Sequence, residues 1–140
     1  MFKKMLKTDN SNTTILIRLM VGAVFFSEGI QKFLFPLVNG SGRFEKIGLP
    51  MPEILGPFVG TFELICGALI LIGLITRTSA IPLIIIMIMA IWTTKVPLLN
   101  NEGFWEMAHA ARTDWAMLLG SIYLLIKGGG AWSFDKGISG

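Results

Sequence analysis

Cysteine occurs once in the 140 residues, at Cys66. A lone cysteine excludes an intramolecular disulfide, a CxxC redox pair and a thiolate metal cage. Its expected place is the apolar core, where free cysteine commonly sits inert. Charge is also scarce, at 15% of residues against about 25% in an average soluble domain. Histidine occurs once, at His109. Glu106-Met-Ala-His109 has the E-x-x-H spacing of di-iron bundles, but those need a second such motif and further inward carboxylates. The missing second histidine argues against that site, and no metal is expected. No A-x-A site closes a short apolar run after the N-terminal lysines, which argues against a secretory signal.

What remains is mostly oily. Hydrophobic residues make up 53% of the chain and its mean hydropathy is +0.68. That is the profile of an integral membrane protein small enough to be one domain. The net charge of +3 comes from lysines and arginines scattered along the chain. Such scatter fits the flanks of membrane spans and not a phosphate-binding patch, so nucleic acid is not expected as a partner.

The organising stretch is Thr14 to Pro36, long enough to cross a bilayer yet carrying Arg18, Glu28, Gln31 and Lys32. Ionisable groups inside a span are costly and usually face a bundle interior or a wet cavity. Glu28 and Lys32 are spaced i,i+4 and meet on one helical face. Arg18, Gly22, Phe25, Gly29 and Lys32 share a helical stripe that needs partner helices, although Lys32 can also snorkel outward.

Those partners follow. Leu37 to Glu53 reads as a loop with a helical turn near Phe44 to Ile47. Ile54 to Ile75 is a second span with glycines for close approach and Glu63 inside it. At about 1.5 Å per residue, Glu63 lies about 14 Å from the start of its span and Glu28 about 12 Å from the same end of the first. The two carboxyls therefore share a depth. Thr76 to Ser79 reads as a polar turn and Ala80 to Val96 as a third span, with Trp92 and Lys95 marking its far interface. Phe104 to Ala108 suggests a surface amphipathic helix, and Arg112 to Ile126 a short fourth span. The expected organisation is an exposed tail over 1–13, one membrane domain over 14–127, and a C-terminal tail over 128–140 at the interface or in water. The lysine-rich N-terminus favours both termini in the cytoplasm.

Taken in order, these residues resemble the DoxX family of small bacterial membrane proteins. The resemblance rests on Arg18, Gly22, Phe26, Gly29 and Lys32, then Gly48-Leu49-Pro50, then Glu63, Gly67 and Gly73. Thr76-Arg77, Ala80, Asp114 and the closing run from Gly128 to Asp135 complete it. It implies an all-α integral membrane four-helix bundle in the bacterial inner membrane. It also implies an oxidoreductase or quinol-oxidase subunit working with a redox partner protein. With no cysteine pair and no haem-attachment motif, the chain lacks the equipment for redox chemistry alone.

The polar set Arg18, Glu28, Lys32, Glu63, Arg112 and Asp114 is the expected network, with Glu28, Lys32, Glu63, Arg112 and Asp114 in the outer half of the bundle. Two readings stand. Either the charges only hold helices in register, or they line a cavity for a polar-headed amphiphile such as a quinone. In the second, Glu28 or Glu63 bonds the head group and Phe62, Trp105 and Trp115 form walls. The bilayer is the expected surrounding, and a homo-oligomer is left open.

Overall fold

The computed structural model describes residues 12–139, and every regular element among them is helical. Helix α1 spans Thr14–Leu34. A short α2, Ser41–Lys46, precedes α3, Pro52–Ile72. Helix α4, Thr76–Ala90, runs through a π turn, Ile91–Lys95, into α5, Val96–Glu102. Helices α6, Phe104–Ala110, α7, Arg112–Lys127, and α8, Phe134–Ser139, follow. The expected N-terminal tail lies almost wholly outside the described residues.

Three stretches are long and apolar enough to cross a membrane: Thr14–Leu34, Pro52–Ile72 and Thr76–Glu102. Helix α7 has 16 residues, about 24 Å at the usual rise, against a hydrocarbon core of about 30 Å. Each of these long helices packs on two others: α1 on α3 and α7, and α4 on α3 and α7. Val21, Phe25, Ile70, Leu83, Met117 and Leu124 form the shared core. Large apolar side chains such as Leu16, Ile65, Ile85 and Ile88 point outward, as lipid-facing positions do.

Two boundaries differ from the sequence reading. Thr76 to Ser79 is the first turn of α4 and not a loop. The reversal occurs earlier, where Gly73 adopts φ +74 and ends α3. Its N–H bonds to the Ile70 carbonyl and that of Leu74 to the Leu69 carbonyl, a Schellman closure that suits glycine. The C-terminal run also departs from a wetted tail. Gly128 to Gly130 are buried, and Asp135 is 1% exposed.

That burial has a reason. Asp135 accepts hydrogen bonds from the Ile75 and Thr76 amides, at 2.6 and 2.9 Å. It thus satisfies free donors at the start of α4 that no neighbouring side chain caps. Ile75 sits at φ +43, a conformation costly for a β-branched residue. The Asp135 amide closes the same turn by donating to the Gly73 carbonyl.

Candidate functional site

The glycine stripe decides where charges can meet. A Cβ added at Gly29 would lie 2.6 Å from the Leu64 amide nitrogen, and one at Gly67 would lie 2.6 Å from that of Phe26. The backbones of α1 and α3 therefore touch at both levels, a closeness only small residues permit. A Cβ at Gly60 would meet the Lys32 Cβ at 3.1 Å, so the lysine stem lies across Gly60. One turn further along α3, its ammonium reaches Glu63.

Lys32 Nζ stands 2.6 Å from Glu63 Oε1, with both side chains nearly buried. The contact is a close ion pair, and the carboxylate, with about four acceptor sites, keeps capacity beyond it. Glu28 Oε2 lies 3.9 Å from the same ammonium, and its side chain is half-exposed.

A second pair forms across the molecule. Lys95 Nζ is 3.1 Å from Asp114 Oδ2 and donates to Thr94 Oγ1 at 3.2 Å. The π turn positions this group. Thr93 and Thr94 return their hydroxyls to the carbonyls of Met89 and Ala90. Local π geometry is uncommon and often accompanies functional positions.

Lys32, Glu63 and Asp114 line one cavity of about 590 Å³, and Lys95 is joined to it through Asp114 and Thr94. Glu28, Lys32, Glu63, Thr93, Thr94 and Asp114 supply its polar lining. Phe25, Phe44, Phe58, Met87 and Met117 supply apolar walls, while Asn39 and Arg43 approach from the loop side.

Arg18 lies elsewhere, at the opposite end of α1. Its guanidinium donates to the carbonyls of Ile70, Leu71, Gly129 and Trp132. Two of those carbonyls end α3, where helices leave acceptors free and favour a cation. Arg112 is also apart from the cavity: it is exposed and donates to the His109 carbonyl at 2.7 Å.

The expected aromatic walls are replaced. Phe62, Trp105 and Trp115 are exposed and do not line the cavity. Successive helical residues point about 100° apart, and that step carries Phe62, beside Glu63, and Trp115, beside Asp114, to the outward side. Phe58 takes the wall position, with Phe62 packed edge-to-face against it at 5.0 Å. Sequence reasoning also missed Lys95 as a partner. Its only signal was a lysine ending an apolar run, which reads equally well as an interfacial marker.

With this arrangement in view, the DoxX family profile matches residues 13–96. The chain belongs to the DoxX family. An uncharacterized membrane protein of Mycobacterium tuberculosis is 49% identical over 142 aligned positions, covering 97% of this chain and 87% of the relative. The protein named "Putative oxidoreductase CatD" of Bacillus subtilis is 33% identical over 118 positions, covering 82% and 78%. No solved structure matches. The DoxX match contains Arg18, Glu28, Lys32, Glu63 and Lys95 but ends before Asp114 and Asp135. Family membership and three apolar spans make this a membrane protein.

Proposed function

We propose that this DoxX protein is a redox accessory subunit of the bacterial inner membrane that holds a quinone, or a similar amphiphile, in the cavity between its two ion pairs. The observation that carries the reading is the buried Lys32–Glu63 pair facing a space with mostly apolar walls. Ligand sites of about 300–1,000 Å³ typically combine apolar walls with a few converging polar groups. The residues present suit a quinone head. The Lys32 ammonium donates to a ring carbonyl, and Glu63, with acceptor capacity to spare, receives a ring hydroxyl. A bound quinone supplies the electron-accepting chemistry, and a partner protein supplies the electrons. The oxidoreductase name of the Bacillus subtilis relative supports the same direction.

In this reading α7 is the fourth span of a four-helix bundle. Both termini are cytoplasmic and the cavity lies in the outer half. Lys3, Lys4, Lys7, Arg77, Lys127 and Lys136 then share the inner side.

The test is quinone binding by the full chain in lipid nanodiscs. Glu63→Gln is expected to fold and to lose binding, with Glu28→Gln weakened less because Glu28 is the more distant partner of Lys32. Equal binding by parent and both variants would overturn the proposal. The competing reading, a purely structural brace, is favoured by one observation: Lys32 crosses to Glu63 where the α1–α3 backbones touch. It expects a lower melting temperature for Glu63→Gln and no quinone binding by the parent.

A further inference from the structure

The cavity is bounded by two helix pairs, each with its own lysine–carboxylate contact. Lys32–Glu63 joins α1 to α3, and Lys95–Asp114 joins the π turn to α7. Neither pair is exposed as a surface ion pair would be. The side chains of Lys95 and Asp114 retain 12% and 22% of their exposure, and those of Lys32 and Glu63 retain 9% and 5%. Lys32, Glu63, Thr94 and Asp114 all line the same space. Lys95 is not itself a lining residue but contacts two of these, Thr94 and Asp114.

Each pair sets a cationic donor beside a carboxylate acceptor. Such a pair can donate to a carbonyl oxygen and can accept from a hydroxyl, so it suits one oxygen in either of two redox forms. A ligand with a single polar group would leave one pair facing apolar ring or tail, and a charged group so placed is costly. The chemistry of the walls therefore calls for two polar groups. Resting on the quinone reading above, we infer that the site is two-ended. Its ligand head is a ring with oxygens on opposite edges, one engaged by Lys32–Glu63 and the other by Lys95–Asp114, whose ammonium Thr94 holds in place. The π turn is then a specificity device, since it brings Thr94 and Lys95 to the second end.

The experiment uses the full chain in nanodiscs and three probes: a short-tailed para-benzoquinone, its hydroquinone, and a phenol with the same tail and a single oxygen. The parent is expected to bind both two-oxygen probes about tenfold more tightly than the phenol, the scale of one charge-assisted hydrogen bond. The double variant Lys95→Met/Asp114→Asn, which removes the pair without leaving a lone charge, is expected to erase that gap with phenol affinity no lower than the parent's. Thr94→Val is expected to narrow it. Retained phenol binding also shows that the double variant is folded. A parent that binds all three probes equally overturns the two-ended site but leaves the quinone reading standing, provided Glu63→Gln weakens them. A gap that survives in the double variant also overturns it. A parent that binds none of the probes sinks both readings.

Discussion

The two ends of this molecule both bury charge, but they satisfy it differently. At the end formed by Thr14, Ile72 and Thr76, Arg18 spends its guanidinium on main-chain carbonyls and Asp135 spends its carboxylate on main-chain amides. At the end formed by Leu34, Pro52 and Lys95, the charges pair with other side chains beside open space. The first arrangement ties together chain segments far apart in sequence. The second keeps polar groups available to a visitor. A buried charge is thus no sign of a site until its partners are known.

The largest effect expected from breaking this contrast is at Arg18. Arg18→Ala leaves the Leu71 carbonyl at the end of α3 and the Gly129 carbonyl without this donor, and removes a positive charge that interacts with Asp135. Each hydrogen bond from a charged group contributes about 1.5–3 kcal/mol, and several are lost together, so the variant should unfold early in detergent. Arg18→Lys should rescue little, because an ammonium cannot reproduce the planar fork. Unfolding by circular dichroism checks both, and parent-like melting of Arg18→Ala would remove the fastening role.

Gly29→Val comes next. Its Cβ would stand 2.6 Å from the Leu64 nitrogen, so α1 and α3 must separate. Overpacking of this kind costs about 1–3 kcal/mol. It should also part Lys32 from Glu63, so melting temperature and quinone binding fall together. Binding retained at a lowered melting temperature would show that the ion pair is not what the cavity needs.

Glu63→Gln should divide the two properties instead. Glu28 remains near Lys32 and glutamine keeps an acceptor, so the stability loss should fall at or below the low end of the about 3–5 kcal/mol that breaking a buried pair costs, while ligand binding disappears. A fall as large as that of Arg18→Ala, with no ligand bound by the parent, would erase the difference between the two ends. The smallest effect is expected at Arg112. It is exposed and contacts a carbonyl in its own stretch of chain, so Arg112→Ala should stay within about 0.5 kcal/mol of the parent and bind unchanged.

Much of this was legible beforehand in the first apolar stretch. The stripe from Arg18 through Gly22, Phe25 and Gly29 is the buried face of α1, because helical period alone places those residues together. Glu28 and Glu63 lie 3.9 and 2.6 Å from the Lys32 ammonium, and a constant rise per residue is what lets sequence reasoning put them at one depth. Asp114 was placed near the same depth, but its partner Lys95 was read as a marker of the interface. Arg112 failed for the opposite reason: its position at the entrance of α7 says nothing about which way it points. The aromatic walls failed through rotation, one residue being enough to turn Phe62 and Trp115 away.

Length and apolarity of runs determined three candidate spans, their order and the small-residue seam between the first two, because these follow from local periodicity and the bilayer's thickness. Tertiary structure alone decided that Arg18 belongs with the C-terminal glycine turn and that Asp135, 59 and 60 residues from its amide donors, starts α4. It alone also set two lysine–carboxylate pairs around one cavity. The reason is that partner choice between helices depends on rotation and crossing of whole elements, and neither is written in the spacing of residues along any one of them.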